Sequence, residues 1–154
     1  MNPNAQATAA NPNPSYREVC SGSTGYVEVF DLELAEPTEE QFENLIKHFF
    51  AFHDPTTLDA QGNDRGTQYA SAVFCYDDKQ QQIVEKVKAE VQARLDKQQI
   101  LDRRGIDAYA GRKVTTAVVP ATQFFPAEEE HQAYLDKNPG GYCNHRMRFQ
   151  WEDL

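Results

Sequence analysis

Residues 38–76, TEEQFENLIKHFFAFHDPTTLDAQGNDRGTQYASAVFCY, decide the fold of this 154-residue chain, because three different patterns follow one another within them. Residues 38–52 repeat apolar side chains at helical spacing. A long polar stretch follows at residues 53–69. A short apolar run at residues 69–76 then alternates with period two, which predicts a strand. We therefore expect a helix and a strand joined by an unusually long polar connection.

The helix predicted at residues 38–52 has a recognisable start, face and end. Thr38 and Gln41 match a capping box, in which two side chains satisfy backbone groups of the first turn. Pro55 ends the helix, because the residue before a proline is disfavoured in helical backbone. The apolar residues form one stripe that would pack on a core, namely Phe42, Leu45, Ile46, Phe49 and Phe50.

The polar connection at residues 53–69 has two interpretations. Long loops in compact domains are usually functional or disordered, and Pro55, Gly62 and Gly66 restrict this one, which favours a site. A surface connection held by Asx turns fits its composition equally well. The hydroxyls, carboxylates and amides that it offers belong to Thr56, Thr57, Thr67, Tyr69, Asp54, Asp59, Asp64, Asn63 and Gln68.

A further strand is predicted at residues 26–34, where the side chains alternate with period two. One face is apolar apart from a glutamate, so it would face the core. Burial would raise the pKa of Glu28 and leave an acid that can donate a hydrogen bond or a proton. Alternatively, Glu28 lies at a strand end and reaches solvent or a basic partner. The apolar face consists of Tyr26, Glu28, Phe30, Leu32 and Leu34.

The second half of the chain continues the alternation of helices and strands. A helix capped by Asp77 or Asp78 is predicted after the strand at residues 69–76. An exposed loop is expected at 102–113 and a third strand at 114–119. A short helix is predicted to begin at Pro126. The apolar stripe of the helix after Asp77 comprises Ile83, Val84, Val87, Val91 and Leu95.

Composition limits the class of protein. With 40% apolar residues and a formal net charge of −9, the chain is globular and would repel nucleic acid. No stretch approaches the roughly 18 consecutive apolar residues of a membrane span, and the N-terminus lacks the features of a secretory signal. We expect residues 1–14, rich in Asn and Pro, to be a disordered tail and residues 15–154 to form one domain.

The cysteines and histidines show no metal-ligand spacing, so no metal site is predicted. His48 and His53 are five residues apart and would not share a helical face. They are more simply read as exposed or internally bonded side chains. An odd number of cysteines cannot all pair within one chain, which favours a reducing, cytoplasmic location. The three cysteines are Cys20, Cys75 and Cys143.

Several blocks occur together in an order and spacing that resemble the peptide methionine sulfoxide reductase A family. The resemblance implies a two-layer α/β (α+β) fold, ferredoxin-like with a mixed sheet. It also implies thiol-dependent reduction of L-methionine (S)-sulfoxide, free or in proteins, to methionine, a repair of oxidative damage. The blocks are NPSYREVCSGSTG at 13–25, Glu28, HDPTT at 53–57, QGND at 61–64, GTQY at 66–69 and PAEEEHQAYLDKNPGGYC at 126–143.

By position in these blocks, the resemblance implies individual roles. Glu28 would protonate the sulfoxide oxygen, which the phenols of Tyr16 and Tyr69 would hold. Asp64 would lie at the pocket edge. Cys143 would be the resolving cysteine, forming a disulfide that thioredoxin or another external dithiol reduces, with no bound cofactor. The helix and turn that complete the substrate site would contribute His131, Tyr134 and Tyr142.

The family's nucleophile lies in a Gly-Cys-Phe-Trp motif, and that motif does not occur in these 154 residues. We therefore expect the first strand and helix of the family fold to be missing, which would expose an apolar face and an unpaired strand edge. Three interpretations stay open: an incomplete form of an active enzyme, a protein that binds methionine sulfoxide without reducing it, or a substitute nucleophile. Nothing in the sequence marks Cys20 as having a lowered pKa, and Cys75 lies within a predicted strand.

Overall fold

The computed structural model describes residues 14–101, 109–143 and 145–151. Two long helices lie beside two short parallel strands, which confirms the predicted mixed α/β class. The tail predicted at 1–14 and the loop predicted at 102–113 lie mostly outside the described residues. The elements in chain order are α1 (Tyr16–Cys20), α2 (Glu39–Phe52), β1 (Ala60–Gln61), β2 (Asp64–Arg65), a 3-10 turn (Thr67–Tyr69), β3 (Ala72–Cys75), α3 (Asp78–Asp96), β4 (Ala117–Pro120) and α4 (Tyr134–Lys137).

Helix α2 forms where the sequence predicts it. The Thr38 hydroxyl accepts a hydrogen bond from the Gln41 N–H at 3.2 Å, which satisfies one donor of the first turn. Only half of the predicted capping box is made, because the Thr38 N–H donates to the Glu36 carbonyl oxygen, at 2.8 Å, and not to the Gln41 side chain. The face turned to the core buries Ile46 and Phe50.

Strands β3 and β4 and the helix between them form a βαβ unit. The strands pair in parallel, with Ala72 opposite Ala117 and Cys75 opposite Pro120. A parallel pair needs a long crossover, and α3 supplies it. Both strands were predicted, although β3 is shorter than its apolar pattern and β4 begins three residues after the predicted start at Val114.

Helix α3 is held at its start by Asp77, whose carboxylate accepts a hydrogen bond from the Gln80 N–H at 2.8 Å. Of the two predicted caps, Asp77 is therefore the one used. The apolar stripe of α3 packs against α2 and against the β3–β4 pair, and this contact forms the main core. The buried residues of the core are Ile46, Phe50, Cys75, Val84, Val87, Val91, Leu95, Ile100 and Tyr109.

A buried polar chain fastens the end of α2 to both strand starts. His53 is 5% exposed, and its Nδ1 lies 2.6 Å from the Phe49 carbonyl oxygen. Its Nε2 lies 2.7 Å from the Ser71 hydroxyl, which lies 2.7 Å from the Thr116 hydroxyl. Burial lowers the pKa of His53 to about 4. As predicted, this histidine is bonded within the fold.

The polar connection at residues 53–69 is a folded segment. Strands β1 and β2 pair antiparallel around a tight turn in which Gly62 has φ 62°, a conformation that favours glycine. The Asp54 carboxylate accepts hydrogen bonds from the N–H and the hydroxyl of Thr56, at 2.9 and 2.6 Å. This is the Asx turn that the second interpretation expects. The segment ends in the 3-10 turn that carries Tyr69.

The prediction of a strand at residues 26–34 is wrong. None of these residues belongs to a strand of the described chain, and the apolar face expected in the core lies largely in solvent, with Phe30 91% and Leu32 56% exposed. Period-two alternation produces a strand only when a neighbouring strand accepts its backbone bonds. Here the described part of the chain provides one bond to Glu28, whose N–H donates to the Gln68 carbonyl oxygen at 2.9 Å.

Two further expectations differ from the structure. The helix predicted from Pro126 is confined to α4, because Ala133, at φ 48°, is left-handed and interrupts the turns before it. The strands of the described residues form two separate two-stranded sheets, whereas the resemblance implied one mixed sheet. Within the described residues, no helix is both long and apolar enough to cross a membrane.

Candidate active site

Tyr16 is the first residue of α1, a short helix that the sequence analysis did not predict. The Ser15 hydroxyl accepts a hydrogen bond from the Glu18 N–H at 3.4 Å, and the Glu18 carboxylate accepts one from the Ser15 N–H at 2.8 Å. This is a complete capping box, and the Ser15-x-x-Glu18 spacing was the signal that predicts it. Cys20 lies one turn later on the same face, close enough to the Tyr16 phenol to raise its pKa.

The ring of Tyr16 stacks on the imidazole of His131, with centroids 3.8 Å apart and planes at 18°. The two residues are far apart in sequence, so only the fold brings them together. Glu128, three residues before His131, accepts a hydrogen bond from the Tyr16 N–H at 2.9 Å. The segment after Pro126 is thereby attached to the start of α1.

Gln68 holds the remaining parts of the site together. It is 3% exposed; its carbonyl oxygen binds the Glu28 N–H, and its side-chain amide donates to the Cys20 carbonyl oxygen at 3.3 Å. Gly66 leaves room for it, since a Cβ at that position would lie 2.2 Å from Gln68 Oε1. Gln68 thus connects α1 with the extended segment of Glu28 and with its neighbour Tyr69. The sequence indicated only that Gln68 is polar.

Both phenols keep their protons at neutral pH. The hydrogen bond to Cys20, together with burial and the charges of Glu28 and Tyr69, raises the pKa of Tyr16 to about 12. Burial, and then the charge of Glu28, raises the pKa of Tyr69 above its ordinary value. These mutual effects place the two phenols within electrostatic range of the Glu28 carboxyl.

Glu28 lies at the surface edge of this group. Partial burial raises the pKa of its carboxyl, His131 opposes the shift, and the charge of Asp64 adds to it. The residue still exposes more than a third of its surface, so water screens part of these effects. The core position expected from the strand pattern is therefore wrong, while the direction of the pKa shift agrees with the expectation.

Cys143 lies beside another titratable side chain. Its sulfur is 4.0 Å from Nδ1 of His145, and the thiol is exposed. Burial and the charge of Arg148 lower the pKa of His145, and the carboxylate of Asp64 opposes them. Asp64 therefore lies within electrostatic range of both the Glu28 carboxyl and the histidine next to Cys143.

Two further predicted substrate-binding residues are exposed, and for them the substrate-binding role stays a prediction. Tyr134 opens α4 and Tyr142 follows two glycines, and they are 44% and 61% exposed. Within residues 14–101, 109–143 and 145–151, neither side chain has a hydrogen bond or ring contact with Tyr16, Glu28 or Tyr69. The same described residues contain no group of three His, Cys, Asp or Glu side chains arranged for a metal ion.

The arrangement can hold a polar oxygen. Two protonated phenols are hydrogen-bond donors, and a carboxyl whose pKa is raised lies within electrostatic range of both; the three groups belong to α1, the 3-10 turn and residues 26–34. Donors aimed at one oxygen stabilise the negative charge that develops there when its bond breaks. The phenol-carboxyl cluster, defined as Tyr16, Glu28, Asp64, Tyr69 and His131, is therefore the candidate active site.

The family model described as peptide methionine sulfoxide reductase matches residues 5–154. The peptide methionine sulfoxide reductase MsrA of Azotobacter vinelandii is 45% identical over 138 residues, covering 89% of this chain and 58% of that protein. A probable peptide methionine sulfoxide reductase of Schizosaccharomyces pombe is 40% identical over 139 residues, covering 89% of this chain and 74% of that protein. The chain thus spans somewhat more than half the length of the bacterial relative.

Solved structures also match this chain over most of its length. The crystal structure of reduced Mxr1 from Saccharomyces cerevisiae matches with a TM-score of 0.70 and 35% identity, covering 91% of this chain and 70% of that chain. Methionine sulfoxide reductase A of Corynebacterium diphtheriae matches with a TM-score of 0.61 and 37% identity, covering 86% and 61%. Likeness of fold and likeness of sequence therefore each extend over most of the chain.

Proposed function

This chain belongs to the peptide methionine sulfoxide reductase family, and from that premise we propose that it takes part in reducing L-methionine (S)-sulfoxide, free or in proteins, to methionine. The observation that carries the proposal is that Tyr16, stacked on His131, and Tyr69 both lie within electrostatic range of the Glu28 carboxyl. A sulfoxide oxygen is a strong acceptor that two protonated phenols can hold, and a carboxyl with a raised pKa can transfer a proton to it. Names of the relatives support the substrate class.

The proposed chemistry begins at the sulfoxide oxygen. Tyr16 and Tyr69 donate hydrogen bonds to it, and Glu28 transfers a proton to it, which makes the sulfur electrophilic. A thiolate then attacks the sulfur, and the S–O bond breaks as the oxygen passes to the thiol. Methionine leaves and the thiol becomes a sulfenic acid. Asp64 and His131 tune the carboxyl through their charges.

Return to the starting state needs a resolving thiol and an external dithiol. In the proposed cycle Cys143 condenses with the sulfenic acid, releasing water and forming a disulfide. Thioredoxin or a small dithiol then reduces that disulfide, and no bound cofactor is required. Cys143 has the exposure that this step needs. The proposed location is the cytoplasm, which supplies such reductants.

A second candidate function is binding of methionine sulfoxide without reduction. It is favoured by one observation, the lack of a Gly-Cys-Phe-Trp segment within these 154 residues. Cys20 adjoins the site, since it raises the pKa of the Tyr16 phenol, whereas Cys75, the last residue of β3, is buried in the core. The two functions share one binding site and differ in whether a thiol reaches the sulfur.

One experiment separates these functions. Calorimetry should show binding of a peptide containing methionine (S)-sulfoxide in preference to its R epimer, and chromatography of the same mixture with dithiothreitol should detect methionine if reduction occurs. Binding with methionine formation supports the reductase, and binding alone supports the second function. Equal, unsaturable heats from both epimers would contradict both.

We expect Tyr69→Phe to weaken binding of the S-sulfoxide peptide about fivefold, because one hydrogen bond to the oxygen is lost while the ring remains. Tyr76→Phe is the matched control. Tyr76 is 71% exposed and its hydroxyl donates to Asp31 at 3.1 Å, away from the site. In calorimetry, the Tyr76→Phe variant should bind the S-sulfoxide peptide with the affinity of the wild type. An equal loss in both variants would remove Tyr69 from the proposed site.

A further inference from the structure

Tyr16 depends on contacts from outside its own helix. Helix α1 has five residues, each at least partly exposed, and helices this short are not stable on their own in water. Its capping box orders the first turn but does not orient a ring that is 41% exposed. Other contacts must therefore hold the Tyr16 phenol in place.

Glu128 makes contacts that can hold the Tyr16 phenol in place. Its carboxylate Oε1 accepts the Tyr16 backbone N–H at 2.9 Å, and its carbonyl oxygen accepts the His131 N–H, also at 2.9 Å. One residue is thus bonded to both members of the ring stack. The Tyr16 N–H is a first-turn donor without a partner inside the helix, so an outside acceptor satisfies it.

The neighbouring glutamates do not reach α1. Glu129 pairs with Lys137 within its own segment, at 2.9 Å. The Glu130 side chain makes no hydrogen bond or ion pair with the described residues. Accepting the hydrogen bond from the Tyr16 N–H lowers the pKa of Glu128, so the carboxylate that accepts this bond is charged at neutral pH. The bond joins residues 112 positions apart in sequence.

We propose that Glu128 is a positioning residue for substrate binding: it fixes the start of α1 so that the Tyr16 phenol, stacked on His131, points at the sulfoxide oxygen. The inference rests on the proposed function. Glu128 would act on substrate binding indirectly, because its side chain bonds to the backbone of Tyr16. Glu128 therefore differs from Glu28, which would contact the substrate itself.

The first test measures the stack without substrate. A ring 3.8 Å above an imidazole shifts its proton resonances, and Tyr16→Leu defines their unstacked position. In Glu128→Ala the His131 resonances should move more than half of the way to that position. Glu128→Gln keeps an acceptor oxygen and should leave them close to the wild type, as should Glu130→Ala, which removes the same charge nearby.

The second test measures affinity for the S-sulfoxide peptide by calorimetry. Glu128→Ala should bind about fivefold more weakly, while Glu128→Gln and Glu130→Ala stay within about twofold of the wild type. Unchanged resonances and affinity in Glu128→Ala would overturn the inference. Equal losses in Glu128→Ala and Glu130→Ala would also overturn it, since charge alone would then explain the effect. If wild-type protein does not bind the peptide, the proposed function fails, and the resonances still report whether Glu128 places Tyr16.

Discussion

Phe50→Ala should lower the free energy of unfolding by about 3–5 kcal/mol, the usual result of truncating a fully buried phenylalanine. Phe50 is 0% exposed and lies where α2 packs on α3, among the valines of the α3 stripe. Removing its ring leaves a cavity that two helices held by other contacts can close only in part. Urea unfolding followed by circular dichroism measures the loss.

Phe30→Ala is the matched control for this prediction. Phe30 belongs to the sequence pattern that predicted a buried strand face, yet it is 91% exposed. Its truncation should change the free energy of unfolding by no more than about 0.5 kcal/mol. A loss at Phe30 as large as the loss at Phe50 would show that residues 26–34 pack into the fold after all.

The second large effect is a loss of stability in acid caused by His53. Burial lowers the pKa of His53 from 6.5 to about 4 in the folded chain. Above pH 6.5 the histidine is neutral in both states and there is no penalty. As the pH falls below 6.5, His53 binds a proton in the unfolded chain. In the folded chain it stays neutral until the pH approaches about 4. The free energy of unfolding should therefore fall by about 2 kcal/mol between pH 7.5 and pH 5 through this residue alone.

His53→Gln isolates this contribution, because other groups that titrate in the same range are common to both proteins. The wild type should be more stable than the variant at pH 7.5, and the difference should shrink by about 2 kcal/mol at pH 5. Parallel pH profiles for wild type and His53→Gln would rule out the buried neutral histidine.

The main elements could be predicted because their signals are local. Helix α2 follows from an apolar stripe with a threonine cap, and α3 from the stripe after Asp77. The βαβ order follows from short apolar runs on either side of a helix. Each signal needs only a few neighbouring residues, and most of the two predicted stripes lies in the core or packs against it.

The site could be predicted only in part. Tyr16, Glu28, Asp64, Tyr69 and His131 were chosen by resemblance, and the structure brings these five together. Glu128 and Gln68 could not be chosen, because their roles depend on hydrogen bonds to residues distant in sequence. Tyr134 and Tyr142 were chosen by resemblance too, and their substrate-binding role stays a prediction.

The amino-acid sequence by itself determined the helices, the order of the elements and the family, since these depend on spacing along the chain. Only the tertiary structure decided whether residues 26–34 are a buried strand. Alternation states which side chains share a face, but a strand needs partners for its backbone, and those come from elsewhere in the fold. The exposure of Glu28 and Phe30 follows from that missing pairing. The stack of Tyr16 on His131 likewise exists only because distant segments meet.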